Sequence, residues 1–172
     1  MDKKLKTYTL QNYRTIPQIA TLKESDIEAI EVVGRVLPFK TNNYVVNELI
    51  DWTRTDDDPI FTLNFPRREM LEKKHYQAVK RMLDEGVDKA TLDRKIHEIR
   101  LELNPNPAGQ EHNVPTLDAV KLKGIQHKYP ETVLFFPSQG QTCHAYCTFC
   151  FRWPQFSGMS GLKFAMKESD LL

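Results

Sequence analysis

The sequence predicts an α/β fold in which a helical domain precedes the first strand, loop and helix of a second domain. Apolar residues recur at helical spacing in the first hundred residues, and a proline-rich stretch, NPNPAGQEHNVP, follows them. The apolar run Thr132–Phe136 comes next, between Pro130 and Pro137, and is typical of a buried strand in a parallel sheet. The predicted divisions are an irregular arm over 1–24, a helical domain over 25–104, a linker or loop over 105–131, and the start of the second domain over 132–172.

Three helices are predicted in the helical domain. Ser25 or Asp26 can cap the first, and Pro38 stops it. Pro66 suits the first turn of the second helix, and Gly86 can end it. The predicted bounds are 25–37, 66–85 and 88–103, with a short helix or strand over 44–52, a solvated acidic turn at Asp56, Asp57 and Asp58, and solvated His75 and His97.

Composition argues against several classes of function. Of the 172 residues, 40% are hydrophobic and 27% charged, which is ordinary for a globular protein. The formal net charge of +1 gives no indication of nucleic acid or a membrane surface as partner. No apolar run approaches the roughly 20 residues of a membrane span, and no apolar segment of a secretory signal follows the basic N-terminus. We therefore expect a cytoplasmic protein that binds neither nucleic acid nor membrane, and a homo-oligomer is left open.

All three cysteines lie in one short loop directly after the predicted strand. They form the pattern Cys143-His-Ala-Tyr-Cys147-Thr-Phe-Cys150, which is too clustered for a disulfide framework and indicates a metal site. Three thiolates on one loop can hold three corners of a [4Fe–4S] cluster and leave the fourth iron open. A structural zinc site would need a fourth ligand, either His144 or a distant His112 or His127.

The CxxxCxxC pattern with an aromatic residue, Phe149, before its last cysteine resembles the signature of the radical S-adenosylmethionine (SAM) superfamily. A broader stretch, roughly residues 25–160, resembles the lysine 2,3-aminomutase family within it. The resemblance implies that the second domain begins a partial TIM-type barrel. The matching segments are LPFKTNNYVVNELID, DDDPIFTLNFPRRE, His127-Lys128-Tyr129-Pro130, and the cysteine loop with Arg152 and Phe156.

The resemblance implies a chemistry and roles for particular residues. In the superfamily the open iron binds SAM, and an external electron donor reduces the cluster, which then cleaves SAM to methionine and a 5′-deoxyadenosyl radical. Phe149 would lie beside the adenine, with Cys143, Cys147 and Cys150 as the metal ligands. In the aminomutase branch, pyridoxal phosphate (PLP) holds the amino acid while its amino group migrates. Arg152 would bind the substrate carboxylate, which a guanidinium fork can do bidentately.

The sequence departs from the family pattern around the PLP phosphate. Two basic groups contact this phosphate in the family, and the matching positions here are Lys128 and Thr132, with Tyr129 retained between them. One arginine is thus replaced by lysine and the other is lost. The run of arginines after the last cysteine is reduced to Arg152 within FRWPQ. We therefore predict that PLP binds weakly or not at all.

Only the start of a barrel fits between Thr132 and Leu172, because a full (β/α)₈ barrel takes about 250 residues. The chain is therefore expected to be an N-terminal fragment that is inactive alone. The predicted function is that of an aminomutase-like radical SAM enzyme acting on an amino acid or amine. Two alternatives stay open: a PLP-independent radical SAM enzyme of other chemistry, and a small zinc-binding interaction module.

Overall fold

The computed structural model describes residues 5–103, 112–136 and 145–146. The chain divides into two compact units. The helical unit comprises Met1–Arg100 and His144–Cys150, and the hairpin unit comprises Leu101–Cys143 and Phe151–Leu172. Among the helices of the described ranges, none is both long enough and apolar enough to cross a membrane.

The helical unit contains helices, short turns and one small antiparallel sheet. Its two strands are β1, Thr7–Thr9, and β2, Lys40–Asn42, with Tyr8 opposite Thr41. A π-helical turn covers Val45–Leu49, and 3-10 turns cover Tyr13–Thr15, Pro17–Thr21 and Arg68–Met70. The α-helices are α1 (Glu24–Val36), α2 (Pro59–Asn64), α3 (Lys73–Asp84) and α4 (Lys89–Leu103), of which α4 extends by its last three residues into the hairpin unit.

Aromatic side chains build the centre of this unit. Phe61 and Phe65 stack with ring centroids 4.7 Å apart, and Phe39 lies 5.1 Å from Phe65. Trp52 packs edge-on against both Phe61 and Phe65 at 5.7 Å, and its indole nitrogen donates to the carbonyl of Val46 at 2.7 Å. Offset and edge-on ring pairs stabilise beyond their buried area. The rings therefore hold the two segments that resemble the family, 37–51 and 56–69, against each other.

The predicted helices over 25–37 and 88–103 are confirmed as α1 and α4, with bounds shifted by one residue. The helix predicted over 66–85 is wrong in its first third, because α3 begins only at Lys73. Phe65 precedes a proline, which disfavours helical backbone, and it lies extended and fully buried in the aromatic core. Gly86, with φ +63°, ends α3 as predicted.

The irregular arm predicted over 1–24 is wrong for its described part. Tyr13, Ile16 and Ile19 are buried in the core, and β1 pairs with a strand more than thirty residues away. Such pairing leaves no local signal.

The prediction of a solvated acidic turn is wrong at Asp58, which is buried, and His75 is 5% exposed rather than solvated. His97 is exposed as predicted, and the helical alternative is the correct one within 44–52.

The hairpin unit contains two antiparallel hairpins. β3 (Thr116–Leu117) pairs with β4 (Val120–Lys121), and β5 (Ile125–Tyr129) pairs with β6 (Thr132–Phe135). The linker predicted over 105–131 is therefore wrong from Thr116 to Tyr129, where short strands form. Asp118 and Ala119 turn the first hairpin with positive φ, without the glycine that normally signals such a turn.

The strand predicted at Thr132–Phe136 is present as β6, but its predicted setting is wrong. It pairs antiparallel with β5, and Val133, Leu134 and Phe135 are 41–56% exposed. The two residues Pro130 and Glu131 join the strands, and so short a link permits only an antiparallel pair. An apolar run does not reveal its own partner. The described residues form no closed barrel, so the partial TIM-type barrel stays a prediction.

Candidate metal centre

The predicted cysteine site lies largely outside the described residues. Cys143, Cys147 and Cys150 are outside them, as are Phe149, Arg152 and His144. Their assigned roles therefore stay predictions. Within 5–103, 112–136 and 145–146, no group of three or more His, Cys, Asp or Glu side chains could hold a metal ion. His112 and His127, the two distant candidates for a fourth zinc ligand, are both exposed.

Two residues inside the cysteine loop are described, Ala145 and Tyr146, and Tyr146 forms hydrogen bonds to backbone carbonyls elsewhere in the helical unit. Its backbone N–H donates to the carbonyl of Leu63 at 2.8 Å. Its hydroxyl lies 3.1 Å from the carbonyl of Pro38 and 3.4 Å from that of Leu37. Burial strongly raises the pKa of the Tyr146 phenol, so the hydroxyl keeps its proton and can donate it.

The carbonyls that accept hydrogen bonds from Tyr146 have no partner within a helix, because α1 and α2 end close to them. α1 ends at Val36, and Pro38 offers no N–H to continue the helix, so the last carbonyls need partners from elsewhere. Arg100 is the partner of two of these carbonyls. Its Nη2 donates to the carbonyl of Arg35 at 2.9 Å, and its Nε donates to the carbonyl of Val36 at 2.7 Å. The Tyr146 hydroxyl directs its single proton towards the next two carbonyls along the chain, those of Leu37 and Pro38, with the shorter contact to Pro38.

The carbonyl of Leu63 has a similar origin. α2 is only six residues long, and its last turn leaves carbonyls without partners inside the helix. Asp58 fixes the other end of α2, where Oδ1 accepts from the N–H of Phe61 at 2.5 Å and Oδ2 accepts from the N–H of Asp51 at 3.1 Å. Phe61, on the same helix, lies in the aromatic core. The acceptor for Tyr146 is therefore held in place from both sides.

The three acceptors lie within the segments that resemble the family. Leu37 and Pro38 begin LPFKTNNYVVNELID, and Leu63 lies in DDDPIFTLNFPRRE. The stretches that carry the resemblance thus pack the aromatic core and bond the cysteine loop. Neither Tyr146 nor Arg100 is among the site residues that the sequence predicts. The available signal was a tyrosine placed directly before the second cysteine of the motif.

The residues assigned to the PLP phosphate, Lys128 and Tyr129, lie in the hairpin unit at the end of β5. Both are exposed, and the Lys128 Nζ lies 5.3 Å from the centroid of the Tyr129 ring. Thr132, at the position of the second basic group, sits opposite Tyr129 in the strand pair. An exposed ammonium attracts a phosphate weakly in water. This geometry gives no additional support to PLP binding, and both roles stay predictions.

The chain is similar to a curated protein over most of its length. A protein of Aquifex aeolicus (strain VF5), named "Putative L-lysine 2,3-aminomutase", is 29% identical over 134 residues. This chain is distantly related to an aminomutase-like protein. The match includes 78% of this chain but 26% of the relative, so the chain spans about a quarter of that protein's length. No family model and no solved structure matches the chain.

Proposed function

We propose that Cys143, Cys147 and Cys150 bind a [4Fe–4S] cluster, and that this chain is part of an aminomutase-like radical SAM enzyme. The observation that carries the proposal is the CxxxCxxC pattern in a chain related to a protein named as a lysine 2,3-aminomutase. The proposed partners are SAM, an amino-acid or amine substrate and a reducing electron donor. The proposal includes a cytoplasmic location and a partial TIM-type barrel that starts near residue 132.

The donor set fits such a cluster. Thiolates are the ligands that hold iron–sulfur clusters, and three of them on one loop match three irons. When bound, the cluster supplies the electron for reductive cleavage of SAM to methionine and a 5′-deoxyadenosyl radical. A closed zinc site would need His144 as a neighbour of Cys143 or one of two exposed histidines in the hairpin unit. The three-thiolate cluster needs no such additional ligand.

The other residues of the loop have roles that follow from their chemistry. Phe149 offers an aromatic face for the adenine of SAM. Arg152 offers a planar guanidinium that can bind the substrate carboxylate through two parallel hydrogen bonds. Lys128 and Tyr129 would contact the phosphate if PLP binds. Because Thr132 replaces one of the family's basic groups and Lys128 is exposed, we propose that PLP binding is weak.

Metal analysis tests the proposal. Protein reconstituted anaerobically with iron and sulfide should contain about four irons and four sulfides per chain. Cys143→Ala, Cys147→Ala and Cys150→Ala should each lose most of this iron. His144→Ala is the matched control, because it lies in the same loop and should keep its iron. Zinc in the wild type, lost as completely in His144→Ala as in a cysteine variant, would establish the zinc-binding module instead.

A second measurement tests the chemistry in the full-length protein. Dithionite and SAM should give 5′-deoxyadenosine, and the cysteine variants should give none. Production of 5′-deoxyadenosine together with amino-group migration on an amino acid would support the aminomutase proposal. Production without migration on any amino acid would favour the radical SAM enzyme of other chemistry.

A further inference from the structure

We propose that Tyr146 is a positioning residue that anchors the cysteine loop on the helical unit. This inference deepens the proposed function and rests on it for its consequence at the cluster. The anchor consists of contacts among described residues: the Tyr146 N–H with Leu63, and the Tyr146 hydroxyl with Pro38 and Leu37. These acceptors belong to two different segments of the helical unit, so they fix the residue in more than one direction.

The three acceptors adjoin buried parts of the helical unit. Leu37 and Pro38 follow directly on α1, whose Ile30, Val33 and Val36 are fully buried. Leu63 lies in α2 next to Phe61 and Phe65, the stacked pair of the aromatic core. Backbone carbonyls at such positions cannot shift without disturbing that packing. The anchor is therefore made to a preformed surface.

The anchor constrains the cysteines through the chain itself. Tyr146 immediately precedes Cys147, and consecutive Cα atoms are about 3.8 Å apart across a trans peptide bond. Holding both the N–H and the hydroxyl of Tyr146 would therefore restrict the positions open to the next residue in the chain, Cys147. Pre-ordering one ligand in this way reduces the conformational entropy lost when a cluster binds.

The hydroxyl makes tyrosine specific at this position. Any residue other than proline can donate its backbone N–H to Leu63, but the bonds to Pro38 and Leu37 need a hydroxyl at the end of a long side chain. Phenylalanine would fill the same space and leave the Pro38 carbonyl without this donor. Tyr146→Phe therefore removes the hydroxyl contacts alone.

The first test uses the 172-residue chain without metal. Hydrogen exchange should show the Tyr146 amide protected at least tenfold relative to an unstructured peptide. Tyr146→Phe should raise its exchange rate by about fivefold, the effect of losing one hydrogen bond. Tyr44→Phe is the control, since Tyr44 lies in the same unit and is 55% exposed. An unprotected Tyr146 amide in the wild type would overturn the inference even if Tyr146→Phe failed to fold, and so would an unchanged rate in a folded Tyr146→Phe.

The second test addresses positioning of the cluster. In reconstituted protein, Tyr146→Phe should lose iron to a chelator about fivefold faster than the wild type, and its reduced cluster should give an altered electron paramagnetic resonance spectrum with SAM. Tyr44→Phe should match the wild type in both. Iron loss and spectra equal to the wild type would overturn the positioning role. A wild type that takes up no iron, yet shows the expected amide exchange, would support the anchor and overturn the proposed function.

Discussion

Replacement of Arg100 should destabilise the helical unit by breaking the link between α4 and the end of α1. Its guanidinium donates to the carbonyls of Arg35 and Val36 at 2.9 and 2.7 Å and is half-buried. Hydrogen bonds to charged groups contribute about 1.5–3 kcal/mol each. Because Arg100 is only half-buried, water can reach the two carbonyls in the variant and replace part of the lost hydrogen bonding. We therefore expect Arg100→Met, which keeps an unbranched stem, to lower the free energy of unfolding by about 2–3 kcal/mol.

The measurement is urea unfolding followed by the fluorescence of Trp52, which lies against Phe61 and Phe65. A Trp153→Phe background removes the second tryptophan of the chain. Arg100→Lys should lose about half as much as Arg100→Met, because an ammonium keeps the charge but not the fork of two donors.

Arg94→Met is the matched control. Arg94 lies on the same helix and is exposed, so its replacement should change the free energy of unfolding by less than about 0.5 kcal/mol. If Arg100→Met proved as stable as Arg94→Met, the carbonyls at the end of α1 would be satisfied without Arg100, and the reasoning would be refuted.

Three further outcomes are expected. Asp58→Ala removes the cap of α2 and should lower the free energy of unfolding by about 1–2 kcal/mol, whereas the exposed Asp57→Ala should change it little, as urea titration would show. Burial alone would raise the pKa of Glu31, but hydrogen bonds from Tyr13 and Arg35 outweigh it and hold this pKa below 4.5. The ionised Glu31 therefore contributes fully to stability above pH 4.5, and this contribution is lost as the pH falls through the lower pKa of the folded state. In an acid titration, the free energy of unfolding of Glu31→Gln should fall less steeply over that range than that of the wild type. Addition of PLP should give little imine absorption that depends on Lys128, and a strong band removed by Lys128→Ala would contradict the predicted loss of the phosphate site.

The elements that the sequence predicted correctly are those with a local signal. α4 and most of α1 follow from apolar residues at helical spacing, and Gly86 marks the end of α3 because it has no Cβ to oppose a positive φ. The position of β6 follows from a β-branched and aromatic run between two prolines. The cysteine pattern is likewise a property of the sequence, and its proposed chemistry depends on residue types and spacing alone.

The remaining features depend on residues far apart in the chain. β1 has no signal of its own, because Tyr8 is buried only when it pairs with Thr41. Phe65 is extended where it packs in the aromatic core, and the chain after it forms only the 3-10 turn Arg68–Met70 before α3 begins at Lys73. The same holds for the direction of β6, since no apolar run specifies the strand beside it.

The role of single polar residues depended most on the tertiary structure. Asp58 reads as one of three solvated carboxylates until α2 is seen to begin beside it. Tyr146 reads as a spacer between two cysteines until the free carbonyls at the ends of α1 and α2 are seen to meet it. Residue type and spacing determined which atoms could bind a metal. Only the packing of the helices decided which backbone groups were left to hold the loop that carries them.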